Sequence, residues 1–310
     1  MKRKLLALSA IATLLIASCA KNEHVDYYQP KPAVDSSHAT LSKVLEYNPA
    51  PGQYVNETTI GTQAQAQKIA YDSTFANMVS LGAWGGSITF KFDHSVQNLD
   101  GADLGIYGNA FSSFDEPGIV MVSQDLNNNG IADDPWFELG GSQYDSTTTI
   151  HNYKMTYYNP NGSVDVPWKD NQGNSGIVAW NSFHNHNFYP LETASPNFDK
   201  NKDSVTFEGS ILRNTVDLTG WGSNNIVKLG WWGYTDTYSD GSSLYTFDND
   251  KTNGYNSVDI SWARDNNGKK VALQYVDFVK VYTGQLANIG ANGELSTEFK
   301  GARDLHVTRL

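Results

Sequence analysis

Beyond Gly82 the chain is cut by turn residues into short apolar segments, and this spacing constrains the fold more than any other feature. The clearest segment follows Gly82-Ala83-Trp84-Gly85-Gly86, where Ile88, Phe90 and Phe92 alternate with Thr89 and Lys91. A period of two places the apolar side chains on one face of a strand and the polar ones on the other. Further strands are expected at 104–107, 118–123, 136–139, 153–158, 204–208, 226–232, 257–262 and 276–283, nearly all bounded by Gly, Asn, Asp or Pro. With 39% hydrophobic residues the chain can bury a sizeable core, and with only 18% charged residues its polarity comes from Asn, Ser, Thr, Tyr and Gly. Those residues favour strands and turns over long helices. One helix is expected between Thr62 and Ser80, an Ala- and Gln-rich stretch with Ala66, Ile69, Ala70 and Met78 as its apolar positions. No internal repeat of fixed period is present, which argues against a propeller or solenoid. The expected fold is an all-β, jelly-roll-like β-sandwich with long loops and one short helix.

The N-terminus carries a separate message. Lys2, Arg3 and Lys4 precede an apolar run from Leu5 to Ala17 that is too short to span a bilayer comfortably. The following Ile16-Ala17-Ser18-Cys19 resembles a bacterial lipobox. Residues 1–18 are therefore expected to be a cleaved signal peptide, with Cys19 the lipidated N-terminus, and several acyl chains on one residue give stable anchoring. As the only cysteine, Cys19 also excludes an intramolecular disulfide framework and a cysteine-rich zinc site. Residues 19–51, with Pro30, Pro32, Pro49 and Pro51, read as a tether, and 52–310 as a single ligand-binding sandwich. Ala20 stands where an aspartate would retain an enterobacterial lipoprotein at the inner membrane, and Asn22-Glu23 with Asp26 faintly resembles an acidic surface-export tag. An outer-membrane, outward-facing location is expected. The whole chain has a formal charge of −11; removing three basic residues and no acidic one takes it to −14. With no basic run after the first few residues, a nucleic-acid surface is not expected.

The sharpest local motif is Asp125-Leu-Asn127-Asn-Asn129-Gly130-Ile131-Ala-Asp133-Asp134. Oxygen side chains at its first, third, fifth and ninth positions, a glycine at the sixth and the Ile131 carbonyl suit a hard cation, and calcium as a structural ion is the expectation. Trp136 occupies the position of the closing EF-hand glutamate, so Asp134 or Glu138 would close the loop instead. The alternative is a metal-free Asx-turn hairpin. His184 and His186 lie two apart but lack a third ligand at a matching spacing, and read as polar loop histidines. Trp231-Trp232 and Tyr234 form the densest aromatic group. One Trp is expected in the core and the other outside, where with Tyr234, Tyr238 and Tyr245 it would offer a stacking platform. Asp115-Glu116-Pro117 and Asp93-His94 read as turn and cap residues, and no nucleophile elbow or distinctive carboxylate pair appears.

Several segments together carry a family resemblance: Ser80-Leu-Gly-Ala-Trp-Gly-Gly-Ser-Ile-Thr-Phe, Tyr107-Gly-Asn-Ala-Phe, Glu116-Pro-Gly-Ile-Val-Met-Val-Ser, Trp136-Phe-Glu-Leu and Tyr153-Lys-Met-Thr-Tyr-Tyr. Val258-Asp-Ile-Ser-Trp-Ala, Val276-Asp-Phe-Val-Lys-Val-Tyr-Thr and Gly293-Glu-Leu-Ser-Thr-Glu-Phe complete the series. The chain from about Tyr47 to His306 resembles a family of Bacteroidetes cell-surface lipoproteins, often encoded beside TonB-dependent receptors that include those of cobalamin-uptake loci. The resemblance implies a non-catalytic surface protein that hands a scarce nutrient to such a receptor. Cobalamin or another corrinoid is the first ligand expected and a neutral glycan the second. The rival class is a jelly-roll glycan lyase or glycosidase, which would need a cleft with paired carboxylates or a Tyr, His and Arg set.

Overall fold

The computed structural model describes residues 28–111, 114–196, 198, 202–217, 225–226, 230–238 and 254–310. They form an all-β sandwich of antiparallel sheets with one short α-helix. The central sheet has six strands in the spatial order Lys43–Asn48, Ser87–Lys91, Phe278–Thr283, Gly118–Ser123, Trp136–Leu139 and Ala263–Arg264. Its inner strands Phe278–Thr283 and Gly118–Ser123 are buried along nearly their whole length, as expected of a layer covered on both sides. Val120, Val122, Val279 and Val281 face the main core, where they meet Leu104, Ile106, Val258 and Ala302 of a three-stranded sheet. Ile119 and Tyr282 point the opposite way and pack with Leu212, Trp231 and Tyr234. A four-stranded sheet, ordered Ser175–Val178, Val166–Asp170, Ile150–Tyr158 and Ser204–Ile211, builds its own core around Trp84, Met155, Tyr157 and Phe188. No described helix is long and apolar enough to cross a membrane.

Five sequence expectations are corrected. The expected tether contains an edge strand of the central sheet, Lys43–Asn48, with Val44 and Tyr47 fully buried. A register shift between Val44 and Glu46 lets these two residues, three apart, both face the core, which is why no period of two marks the strand. Ahead of it, the backbone N–H of Ala39 donates to Arg309 O and that of Leu41 to Ala302 O, so the sandwich begins before residue 52. The expected helix shrinks to Gln63–Ala66 followed by a 3-10 turn, Gln67–Ile69. Thr62 Oγ1 caps it by accepting from Gln65 N at 3.2 Å, but Asp72 then gathers the N–H groups of Thr74, Ala76 and Asn77 into a competing turn.

The long connection expected between the strands at 153–158 and 204–208 contains the hairpin Val166–Asp170 and Ser175–Val178. Pro167 lies just past Trp168, the last residue paired to the neighbouring long strand, so its missing N–H costs that ladder nothing. Of the strand expected at 226–232, only Asn225–Ile226 is strand among the described residues. The strand expected at 257–262 instead runs Tyr255–Val258, and Asp259 caps a 3-10 turn after it.

Candidate functional site

The connections at the ends of these sheets enclose an open cavity of about 640 Å³. Its mouth carries Phe111 and Phe183, which are 58% and 81% exposed, and Phe114, which stacks on Phe111 with ring centroids 4.8 Å apart. Its floor is made of Glu116, Glu294, Ser296 and Glu298, with Gln53, Asn109 and Asn292 adding polar groups. Alternation places Glu298 there: in the short strand Glu298–Phe299, Phe299 enters the main core and Glu298 faces the other way. Glu116 precedes the strand Gly118–Ser123 and is pinned at both ends of its backbone. Its N–H donates to Asp236 O at 2.9 Å, and its carbonyl accepts from Thr297 Oγ1 at 2.8 Å.

Asp236 arrives from a distant segment in the left-handed region, at φ 54°. Its Oδ1 accepts from the N–H groups of Asn109 and Ala110, at 2.7 and 2.9 Å, and its Oδ2 from Glu298 N at 2.8 Å. Gly108 permits this approach, since a Cβ there would lie 2.3 Å from Asp236 Oδ1. One carboxylate oxygen from each of Glu116, Asp236 and Glu298 then lies within 4.8 Å of the others, and all three residues are buried. None of the ion pairs among the described residues involves them or Glu294.

Burial without a cation disfavours the ionised forms. Burial, then the neighbouring Glu298 and Asp236 charges, hold the Glu116 carboxyl well above its usual range. Burial also raises Asp236, against the pull of its three backbone donors, and raises Glu298, to which Asp236 adds. Glu294 is pushed up to about 8 by burial, which the N–H of Gln53 only partly offsets. One carboxylate oxygen of Glu116 lies within 4.8 Å of one of Glu298, close enough that two ionised forms would repel each other. Glu294 Oε1 accepts from Gln53 N at 2.9 Å, while its buried Oε2 has no hydrogen-bond partner.

The residues singled out in the sequence fall elsewhere. The Asp125–Asp134 loop satisfies itself: Asp125 Oδ1 and Oδ2 accept from the N–H groups of Asn129 and Gly130 at 2.9 and 2.8 Å. Asn127 Oδ1 accepts from Asn129 N, Asn129 Oδ1 from Ile131 N, and Asp134 Oδ2 from Leu126 N, while Asn129 Nδ2 reaches Asp133 at 3.3 Å. Asp125, Asp133 and Asp134 do not converge as the floor carboxyls do.

Trp231 and Tyr234 are core side chains, 8% and 1% exposed, so they do not form the expected platform. Gly230 and Gly233, at φ 59° and 81°, turn the chain so that two residues three apart both face inward. Trp232 is partly buried edge-on to Trp262, with centroids 4.9 Å apart, and Tyr238 donates its N–H to Asp115 Oδ1. Tyr245 and Cys19 lie outside the described residues.

His184 does reach the cavity wall. Its Nδ1 meets Glu57 Oε1 at 2.8 Å, whereas His186 Nδ1 stands 3.8 Å from the same oxygen and its Nε2 meets Val55 O at 3.0 Å. Sequence reasoning set Glu116 aside as a turn residue and missed Asp236, Glu294 and Glu298 altogether. The only local signal was an acidic side chain inside short Thr- and Ser-rich stretches, Thr235-Asp236-Thr237 and Ser296-Thr297-Glu298-Phe299.

A second cavity, of about 780 Å³, is lined by Glu138, His151, Ser210 and Arg264 among others. There Ser210 Oγ lies 2.5 Å from Glu138 Oε2 and 2.8 Å from His151 Nδ1, while the Nε of Arg264 is a buried donor with no hydrogen-bond partner. Exposed aromatics and an orphaned acceptor distinguish the first cavity as the candidate site. No protein-family model matches the chain, and no curated protein matches it.

Proposed function

We propose that this protein is a lipid-anchored outer-membrane protein that captures a nutrient at the cell surface for a TonB-dependent receptor, with a corrinoid as its ligand. The observation that carries the reading is the open cavity with an apolar rim over an oxygen-rich floor. Exposed Phe111 and Phe183 leave apolar area in water that a flat ligand would cover, and the volume lies in the usual range of small-molecule sites. A corrin ring is larger than such a cavity, so it would lie across the mouth and direct its amide arms, which are N–H donors, toward the carboxyl oxygens below. The same rim and floor suit a neutral glycan, whose hydroxyls donate to carboxyls and whose C–H faces stack on aromatic rings. The acidic chain disfavours anionic polysaccharides.

The floor carboxyls do not support the glycan-degrading alternative. A glycosidase pair flanks its substrate with carboxyls about 5 Å or more apart, whereas Glu116 and Glu298 are buried side chains that each bring an oxygen to within 4.8 Å of the other.

Calorimetric titration of the full chain with cyanocobalamin, and with a panel of neutral oligosaccharides, tests the reading. The expected result is binding of cyanocobalamin that weakens at least about tenfold in Phe111→Ala, Phe183→Ala. Binding confined to an oligosaccharide would move the ligand to that class, and binding of neither, or release of a hydrolysis product, would end the proposal.

A further inference from the structure

We propose a calcium site at the cavity floor, with Glu116 and Glu298 of the floor and the fully buried Asp236 behind them as its carboxylate ligands, and Glu294 beside them. The inference concerns a metal ion and does not depend on which organic ligand the cavity takes. It starts from convergence: three segments distant in sequence each bring one carboxylate oxygen to within 4.8 Å of the other two, in residues 5%, 0% and 4% exposed. Folding them together forces three like groups into one desolvated spot, an arrangement stable only if protons or a cation neutralise it.

The second observation is Glu294. It is 3% exposed, it lines the same floor, and its Oε2 is buried without a hydrogen-bond partner. A native fold rarely leaves so strong an acceptor unanswered, and an unmet buried carboxylate oxygen points to an absent ligand. Gln53 N holds its other oxygen, so the orphaned one is fixed in place.

The donor set selects the ion. All the converging atoms are carboxylate oxygens, which suit hard cations and not zinc or copper. Asp236 is already oriented by three backbone N–H groups, two on Oδ1 and one on Oδ2, so Oδ2 retains a free lone pair for a metal. An irregular array gathered from loops and a two-residue strand fits the flexible coordination of Ca²⁺ better than the strict octahedron of Mg²⁺. The open cavity above gives the ion its route from solvent and leaves room for waters to complete its shell.

The test uses the full chain, stripped with EDTA, desalted and titrated with CaCl₂ in a calorimeter. Binding is expected in the wild type and in Asp125→Ala, Asp133→Ala, and is expected to weaken at least about tenfold in a glutamine variant that adds the isosteric Glu116→Gln, Glu298→Gln to that loop variant. The proposal is overturned if the wild type does not bind Ca²⁺, if the Asp125 variant loses all binding, or if the glutamine variant binds like the Asp125 variant. Should near-ultraviolet circular dichroism show that the glutamine variant does not fold, wild-type crystals soaked in Mn²⁺ decide. An anomalous peak between the three carboxylates supports the site, and peaks only elsewhere overturn it.

Discussion

His94 shows how one side chain ties the C-terminal strand to the sandwich. Its ring is 1% exposed, with Nδ1 at 2.8 Å from Asp93 Oδ1 and Nε2 at 2.8 Å from Asp304 Oδ2. Only the imidazolium donates from both nitrogens. Burial opposes that form, but the hydrogen bonds and charges of Asp304 and Asp93 outweigh it and raise the pKa above the ordinary 6.5. A raised folded-state pKa means that the stabilisation is complete below the unfolded value and is lost as pH climbs through the folded one. Urea unfolding should therefore show wild-type stability declining on the alkaline side of neutrality. His94→Gln should flatten that limb and cost about 2–3 kcal/mol at about pH 6, because it leaves the buried Asp304 carboxylate without a cation; an unchanged alkaline limb would refute the assignment.

Glu138 runs the same way for a different reason. Burial lifts its pKa from 4.5 to about 7, against the lowering effect of Ser210, so its contribution to stability fades as pH rises across that window. Glu138→Gln should remove the fading, leaving a smaller gap between the melting temperatures measured at the two ends of the window. At Gly108, alanine would drive Cβ against Asp236, and the expected cost is about 1–3 kcal/mol in urea unfolding.

The Asp125–Asp134 connection is an element whose metal content is open to a direct test. Its Asx turns position the Asp125 carboxylate without exhausting its lone pairs, and calcium there is proposed as a structural ion. Thermal melting in EDTA and in millimolar CaCl₂ should differ, with bound calcium adding about 2.7 kcal/mol at a hundredfold excess over Kd. Asp125→Ala, Asp133→Ala should shrink that difference, and the same shift in this variant as in wild type would locate the stabilising ion elsewhere.

The strands that the sequence made legible are those with clean turn residues at both ends: 104–107, 118–123 and 136–139 match their observed bounds. Lys43–Asn48 escaped notice because a register shift erases its alternation, and Val166–Asp170 because Pro167 mimics a loop. The helix was overextended because Ala and Gln carry helical propensity whatever their neighbours do, and the carboxylate of Asp72 decides the local contest.

At the scale of the whole molecule, the lipid anchor is a proposal with a simple check: Cys19→Ser should move the protein from the membrane fraction to the soluble fraction, and continued membrane association would refute it. What the sequence determined by itself is the all-β class, because alternation and turn chemistry are written into neighbouring residues and need no knowledge of distant ones. The anchor proposal rests on equally local features, since the basic residues, the apolar run and Cys19 are contiguous. The candidate site is not local. Glu116, Asp236 and Glu298 look like ordinary turn or strand acids until the sheets form and bring their carboxylates together at one cavity floor, two of them lining it. The aromatic group failed in the opposite direction, since two glycines turn Trp231 and Tyr234 into the core while Phe111 and Phe183, unremarked in the sequence, stand exposed at the rim. Which side chains are desolvated depends on what packs above them, and only the tertiary structure decides that.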